Sequence, residues 1–244
     1  MDKPVPFIEH LKELRKRLLF CICFFIVFLV FTLNFGDAFL GFLVVPLQSA
    51  MKEAGGTNRM IFTGMAEGFL TNLKVAVVFA FIFTLPAILF QVWRFIFPAL
   101  TEEERKLLRV LFVFPPFLFL LGASLAYFYV IPLAWDFFMS FQDLNGPLPI
   151  ELEPKLIDYV NLSLSFLFSF GLAFQLPLLL IMLVFMNVLS VQAMVKARRY
   201  VILLTFIVST ILTPPDVFSL ICLAVPLMIL YEISIILAKR IGKA

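Results

Sequence analysis

Long apolar runs separated by short charged segments make up most of the chain. A membrane-spanning helix needs roughly 20 consecutive apolar residues, and most of these runs come close to or exceed that length. They occupy residues 18–35, 68–97, 107–130, 159–185, 200–213 and 217–237. The pattern therefore predicts an all-α integral membrane protein with six transmembrane helices.

Two parts of the pattern depart from a plain six-helix bundle. The run from Tyr200 to Thr213 would span only roughly 21 Å as a helix, so we expect short fifth and sixth spans beside a thinned bilayer. The region from Asp37 to Glu67 is too long for a bare loop, and its apolar part ends at Pro46. We expect this region to form short helices that cap the outer surface.

The segment before the first run predicts an amphipathic helix. Phe7, Leu11, Leu14 and Leu18 recur at steps of four, three and four, which places them on one stripe of an α-helix. Charged residues occupy the other side. Among them, Glu13 precedes Arg17 by four positions, which is the favourable order for an ion pair on a helix. We therefore divide the chain into a cytoplasmic amphipathic helix at 1–17, a single transmembrane domain at 18–238 and a cytoplasmic tail at 239–244.

Composition excludes a soluble domain and gives no sign of an enzyme. The chain is 63% hydrophobic and 14% charged, whereas soluble domains are about half apolar and a quarter charged. Its three cysteines cannot form a disulfide framework, and its single histidine, His10, has no sequence partners for a metal or catalytic site. The motifs of nucleophile elbows, phosphate loops and zinc sites are missing, so we expect no catalysis, metal or cofactor.

Positive charge is distributed unevenly between the segments that join the apolar runs. Of the 19 lysines and arginines, fifteen fall in the two ends and the second and fourth connections, three fall in the other connections, and Lys74 lies within the second run. Basic residues concentrate on the cytoplasmic side of membrane proteins, so both ends are predicted to be cytoplasmic. Acidic residues on that side form two clusters, Glu9 with Glu13 and residues 102–104, where a cationic ligand could dock.

Several separated blocks of sequence resemble the TatC family, the core receptor subunit of the twin-arginine (Tat) protein translocase. The first is His10-Leu-Lys-Glu13-Leu-Arg15-Lys-Arg17, and the second runs from Gln91-Val-Trp through Phe95-x-x-Pro98-Ala-Leu to Glu104-Arg-Lys. The others, in chain order, are Pro46, Pro86, Ala126-Tyr127-Phe, Pro132-Leu, Phe170-Gly171-x-Ala-Phe174, Leu176-Pro177, Leu212-Thr-Pro-Pro-Asp216-Val-Phe and Glu232-Ile. The blocks cover nearly the whole chain in the family's order.

The resemblance implies a function and a set of sites. It implies a multi-pass protein of the bacterial inner membrane that recognises folded passenger proteins by their Arg-Arg signal peptides. It also implies export driven by the proton-motive force, in an oligomeric complex with the single-span proteins TatA and TatB and without nucleic acid. The implied signal-peptide-binding residues are Glu13, Arg15, Phe95 and Glu104, with Arg15 orienting the acids. The implied structural or partner-helix residues are Pro46, Tyr127, Gln175, Pro177 and Asp216.

One position departs from the family. The fourth helix of the family usually carries a membrane-embedded glutamate where this chain has Gln175. An amide keeps the hydrogen-bonding capacity of that side chain but cannot hold a charge or exchange a proton. A polar docking point for a partner helix therefore remains, whereas a titrating carboxylate is lost.

The sequence also allows purely structural roles for these residues and two other functions for the protein. The first helix could serve only as a topology anchor, and Glu104 could serve only in a capping box with Thr101. The polar residues of the fourth run could simply bond to other helices. The function could instead be that of a small-solute secondary transporter, which predicts repeats and interrupted helices, or that of a passive membrane scaffold.

Overall fold

A computed structural model describes residues 7–54, 59–96, 114–143, 151–186, 188–212 and 217–241. The described residues are almost entirely helical, and Ile61 and Lys155 form an isolated β-bridge. The chain forms two compact units. Unit 1 comprises Met1–Phe39 and Asn72–Pro116, and unit 2 comprises Leu40–Thr71 and Phe117–Ala244.

The helices are numbered in chain order within the described residues. The first half of the chain contains α1 (Phe7–Asn34), α2 (Gly36–Ala54), α3 (Glu67–Ile96) and α4 (Phe114–Leu125). The second half contains α5 (Ile131–Met139), α6 (Leu156–Ala173), α7 (Leu176–Phe185), α8 (Val191–Leu212) and α9 (Val217–Ile241). A π-helical turn, Ala126–Val130, joins α4 to α5 without a break.

Five helical segments of the described chain are long and apolar enough to cross a membrane. They are Leu11–Asn34, Glu67–Val92, Phe114–Met139, Leu156–Phe185 and Val217–Arg240. The predicted fifth span lies in α8, which is apolar only in its second half because Lys196, Arg198 and Arg199 lie in its first half. The protein is therefore a multi-pass membrane protein with an all-helical fold.

Unit 1 contains α1 running antiparallel to part of α3. Near one end, Arg17 Nη1 donates to the Gln91 carbonyl at 3.3 Å, and near the other, Thr32 Oγ1 donates to the Ala76 carbonyl at 2.8 Å. The amphipathic segment and the first apolar run form a single helix, which begins at Phe7 and continues through the predicted start of the span. The charged turns of α1 thus lie beside the carboxyl end of α3.

The region after α1 differs from the prediction of several short helices. A single helix, α2, runs for 19 residues from Gly36 to Ala54 and continues through Pro46, where we expected the apolar segment to end. A proline inside a helix has no N–H to donate, so the carbonyl four residues earlier loses its usual partner. In α2 that carbonyl belongs to Phe42.

Tyr127 supplies the bond that Pro46 cannot. Its hydroxyl donates to the Phe42 carbonyl at 2.7 Å, and its ring stacks on the Phe42 ring with centroids 4.3 Å apart. The hydroxyl of the buried Tyr159 donates to the next carbonyl, that of Leu43. Tyr127 lies in the π-helical turn, whose extra residue per turn changes the direction of the side chains that follow. Pro46 and Tyr127, separate in sequence, therefore belong to one structural arrangement in unit 2.

We expect the effects of Tyr127→Phe and Pro46→Ala on stability to be strongly non-additive. Tyr127→Phe leaves the Phe42 carbonyl without its side-chain donor and should cost about 1–3 kcal/mol. Pro46→Ala restores an amide that bonds to that carbonyl, so the tyrosine substitution should cost much less in this background. Unfolding of the four proteins of this cycle in detergent measures the coupling. Additive effects would contradict the shared carbonyl.

Unit 2 brings α4 and α6 into very close contact at two glycines. A Cβ atom built on Gly122 would lie 2.4 Å from the Phe170 carbonyl oxygen, and one on Gly171 would lie 2.4 Å from the Phe119 ring. The two helices pack backbone against backbone at this point.

The fourth span was expected at 159–185 and is present at Leu156–Phe185. The expectation of one continuous helix there was wrong, because a turn at Phe174 and Gln175 divides the span into α6 and α7. Helix α6 ends at Ala173 and α7 begins at Leu176, with Gln175 N donating to the Leu172 carbonyl at 2.9 Å in a tight turn. Pro177 explains the break because it has no N–H for the carbonyl of Ala173. Gln175 is half-buried at the break, and Pro177 is buried.

One expected length and two boundaries were also wrong. The sixth span is not short, because α9 is a helix of 25 residues from Val217 to Ile241. The third span continues beyond the expected end at Val130, because α5 extends it to Met139. The connection expected at 187–199 is largely helical, because α8 already begins at Val191. Ser190 explains this start, since its Oγ accepts from the Ala193 N–H at 3.1 Å in the manner of an N-cap.

Two connecting segments of unit 2, residues 59–67 and 151–157, are bonded to each other, and we call them the loop clamp. Arg59 Nε donates to Glu153 at 2.8 Å, and this hydrogen bond raises the pKa of the Arg59 guanidinium. Main-chain bonds flank the ion pair, from Ile61 N to the Pro154 carbonyl at 3.2 Å and from Leu156 N to the Ile61 carbonyl at 2.9 Å. The segments thus meet as a minimal β-bridge.

The buried Glu67 completes the loop clamp. Its carboxylate accepts the N–H groups of Thr63 at 2.8 Å, Gly64 at 3.1 Å and Ile157 at 3.4 Å. A buried carboxylate is costly unless hydrogen bonds replace its hydration. These three amides provide that replacement and tie the start of α3 to the start of α6.

Candidate functional site

The charged turns of α1 present one carboxylate to the carboxyl end of α3. Glu13 forms an ion pair with Arg17, as their spacing predicted, and the same guanidinium donates to the carbonyl of Gln91. The Arg17 side chain is 12% exposed and that of Glu13 is 37% exposed. Arg17 is therefore a largely buried link between two helices, whereas Glu13 stays accessible.

A pocket of about 580 Å³ opens beside this ion pair in unit 1, and we call it the charged pocket. It is lined by Lys12, Glu13, Lys16, Arg17, Phe20, Phe90, Gln91 and Arg94. Four of these side chains are cationic, and only one is a carboxylate. The described part of the pocket is consequently electropositive, and its single carboxylate already has a cationic partner.

An apolar groove of about 560 Å³ lies on the other side of the Arg17 and Gln91 contact. It is lined by Leu14, Arg17, Leu18, Cys21, Ile22, Phe25, Phe81, Ile88, Gln91, Val92 and Phe95. Almost all of the surface inside this groove is apolar. The groove and the charged pocket share Arg17 and Gln91 as a common wall.

The structure brings together two of the four predicted signal-peptide-binding residues. Glu13 lines the charged pocket and Phe95 lines the adjoining groove, with Gln91 bordering both. Arg15 is exposed, lines neither cavity and forms no ion pair with any described residue. Glu104 lies outside the described residues.

The structural and partner-helix residues separate into two places in unit 2. Pro46 and Tyr127 meet at the Phe42 carbonyl, and Gln175 and Pro177 form the break between α6 and α7. Asp216 lies outside the described residues. The ionisable Glu232 on α9 is bound by Arg198 of α8 at 2.6 Å.

Sequence reasoning missed three residues of this site. Arg17 was noted only as a partner for Glu13, Gln91 only as part of a family block, and Arg94 only as a positive charge. The spacing within α1 indicated the first pair, but the contact from Arg17 to Gln91 joins residues 74 positions apart. No pattern of neighbouring residues in the sequence predicts such a contact.

The described residues contain no group of histidine, cysteine and acidic side chains that could hold a metal ion. The side chains that line the two cavities can form ion pairs, hydrogen bonds and apolar contacts. Such a site can bind a charged, partly apolar ligand.

Comparison with known proteins identifies the family. A family model described as Sec-independent protein translocase protein (TatC) matches residues 9–226. The chain belongs to the TatC family. The resemblance seen in the sequence blocks is thereby confirmed, and the protein is a translocase subunit that functions in protein transport within a membrane complex.

Relatives match this TatC chain over nearly its whole length. The Sec-independent protein translocase protein TatC of Rickettsia prowazekii is 38% identical over 236 residues, covering 96% of this chain and 93% of the relative. The TatC protein of Escherichia coli strain K12 is 36% identical over 239 residues, covering 98% and 90%. The alignment therefore leaves little of either protein unmatched.

A solved structure supports the fold as well. The crystal structure described as twin arginine translocase receptor TatC superposes with a TM-score of 0.82 at 32% identity, covering 94% of this chain and 98% of the other. A second crystal structure of that receptor, in the detergent DDM, gives the same TM-score and identity. The helical architecture described above is thus that of the family.

Proposed function

We propose that this chain is the receptor subunit of a twin-arginine translocase and that it binds Arg-Arg signal peptides at its cytoplasmic face. The observation that carries the proposal is the accessible Glu13 carboxylate on the charged pocket, next to a groove that contains Phe95. A guanidinium group pairs with a carboxylate through two parallel hydrogen bonds, which lysine cannot reproduce. Membership of the TatC family supports the same assignment.

Binding at Glu13 takes the form of an exchange. Arg17 occupies the carboxylate in the free protein, so a signal-peptide arginine must replace it while Arg17 keeps its bond to the Gln91 carbonyl. An exchange of one guanidinium for another yields little net energy by itself. A second carboxylate is therefore needed, and we assign that role to Glu104.

The second carboxylate would also offset the positive charge of the pocket. Lys12, Lys16 and Arg94 repel an incoming pair of arginines, and Glu13 alone does not balance them. Charge-assisted hydrogen bonds contribute about 1.5–3 kcal/mol each, with less from the pairing where the groups stay exposed. We propose that contact with Phe95 adds an apolar contribution and that Arg15 orients the acids.

The wider assembly follows from family membership and charge distribution. We propose six spans with both ends in the cytoplasm of a bacterial inner membrane, and α8 supplies the short fifth span. TatA and TatB are proposed as partners that contact the polar region around Gln175 in an oligomeric complex driven by the proton-motive force. Because Gln175 cannot titrate, that position docks a helix in this chain and does not carry protons.

Photo-crosslinking tests the proposed receptor function. A photoreactive residue replaces Lys16 or Arg94, which line the charged pocket, and for comparison the exposed Tyr200 of α8. An Arg-Arg signal peptide should label the two pocket positions and not Tyr200, and a Lys-Lys peptide should label neither. Equal labelling by both peptides would overturn the proposal.

Complementation then separates a receptor from a passive scaffold. A bacterial strain lacking its own TatC should export an Arg-Arg reporter protein when it produces this chain and should not export the Lys-Lys version. Export of neither reporter, with the chain present in the membrane, would favour a scaffold. The turn that divides the fourth span at Gln175 is a feature that a small-solute transporter also predicts. Solute uptake by liposomes containing only this chain would support that alternative.

A further inference from the structure

The described lining of the charged pocket has more positive charge than its single carboxylate can balance. Arg17 and Glu13 neutralise each other, and Lys12, Lys16 and Arg94 remain. These three side chains are exposed, and they form no ion pair with any residue in the described ranges. Basic residues gathered at the end of membrane helices favour anionic headgroups.

The apolar groove continues directly from this pocket. Arg17 and Gln91 line both cavities. A molecule that extends past these two side chains therefore has cationic side chains at one end and apolar side chains at the other. The groove volume of about 560 Å³ lies within the range of specific small-molecule sites. Its apolar lining comes from residues 14–25 of α1 and 81–95 of α3, which fall almost entirely within segments apolar enough to cross a membrane.

We propose that unit 1 holds an anionic phospholipid at this place. The phosphate group lies against Lys12, Lys16 and Arg94, and one acyl chain enters the groove past Leu18 and Ile22. Charge complementarity selects the headgroup, and the apolar groove selects a ligand that carries a hydrocarbon chain. A free phosphate would leave the groove unused, and an acidic protein segment would have no chain to place in it.

The proposed lipid site does not depend on the proposed receptor function. Lipid binding is measured with no signal peptide present, so a chain that fails to bind peptide can still bind the lipid. Conversely, a chain without the lipid site can still bind peptide at Glu13 and Glu104. The two proposals therefore fail separately.

The experiment uses the full chain, purified in neutral detergent and stripped of lipid. Phosphatidylglycerol and phosphatidylcholine with identical acyl chains are titrated, and native mass spectrometry counts bound lipid. Phosphatidylglycerol should bind more tightly, and K12Q/K16Q/R94Q should weaken it by about 100-fold, the size expected for three basic residues at a membrane surface. The matched control K196Q/K239Q/R240Q removes three exposed cations of α8 and α9 and should keep the preference.

Two further sets of variants test separately the positive charge of the pocket and the apolar groove. The charge-conserving variant K12R/K16R/R94K should retain binding, and thermal unfolding in the same detergent shows whether each variant is folded. Ile22→Trp fills the groove and should weaken binding, whereas Ile26→Trp, one turn further along α1 and outside the groove, should not. Equal binding of the two lipids, or unchanged binding by K12Q/K16Q/R94Q, would overturn the proposal.

Competition distinguishes the lipid from other anions. Glycerol phosphate and a polyglutamate peptide are each added to the lipid-bound protein, and neither should displace phosphatidylglycerol at equal concentration. Displacement by glycerol phosphate would show that the acyl chain contributes nothing and would overturn the lipid assignment. Displacement by the peptide would assign the pocket to an acidic protein segment instead.

Discussion

Replacing Glu13 and Glu104 together by glutamine is expected to lower the affinity for an Arg-Arg signal peptide by about 100-fold and to stop export. Each substitution removes an anionic partner of a guanidinium, and such bonds are worth about 1.5–3 kcal/mol, reduced by the partial exposure seen at Glu13. The single variants should show intermediate losses. Peptide binding to the purified chain and export of a reporter protein measure the two effects.

The matched control for this experiment removes the same charge nearby. Glu102 and Glu103 precede Glu104 in sequence, so E102Q/E103Q changes the net charge by the same amount without touching either proposed ligand. It should lower the affinity much less than E13Q/E104Q does, because neither residue is a proposed ligand of the signal peptide. If E13Q/E104Q binds peptide as tightly as the unmodified chain, the proposed site is wrong.

Gly122→Ala is expected to destabilise unit 2 by about 3 kcal/mol, at the upper end for an overpacked contact. The added Cβ would meet the backbone oxygen of Phe170 at 2.4 Å, and a backbone atom cannot rotate away. Gly171→Ala should cost less, because the atoms it meets belong to the side chain of Phe119. Unfolding in detergent, followed by circular dichroism, gives the order of the variants.

Gly41→Ala is the control for these two glycines. Gly41 lies in α2, and a Cβ there meets nothing within 4 Å. Alanine is the better helix former by about 1 kcal/mol, so this variant should be slightly more stable than the unmodified protein. A Gly122→Ala protein as stable as Gly41→Ala would mean that α4 and α6 do not pack as closely as described.

Much of the fold could be predicted because long apolar runs have few structural solutions in a membrane. The second span was expected at residues 68–97, and α3 occupies Glu67–Ile96. The errors occurred where tertiary bonds override a local signal. Pro46 looked like the end of a helix, but Tyr127 bonds to the carbonyl that the proline leaves free, so α2 continues.

The reverse error occurred in the fourth span. Apolar character is continuous through residues 159–185, and hydropathy alone cannot reveal a break in such a run. Pro177 was visible in the sequence, but Pro86 and Pro226 lie inside unbroken helices. Proline alone therefore does not decide between a continuous helix and a broken one, because neighbouring groups determine whether its free carbonyl is satisfied.

The candidate site was only partly predictable. Family blocks indicated Glu13 and Phe95, and helical spacing indicated the pairing of Glu13 with Arg17. The sequence analysis predicted an acidic binding site and did not predict the cationic side chains around it. Arg94 is distant from Lys12 and Lys16 in sequence, and only the packing of α3 against α1 brings them together. The charge of a segment in the sequence is thus a poor guide to the charge of a pocket that two distant segments form together.

The loop clamp has a consequence for the order in which the protein is made. Glu67 and the donor that lies farthest from it in sequence, the N–H of Ile157, are 90 residues apart, which a ribosome needs roughly 5–20 s to translate. During that interval the carboxylate has only the amides of Thr63 and Gly64. The connection before α3 can therefore reach its final shape only after translation has passed residue 157.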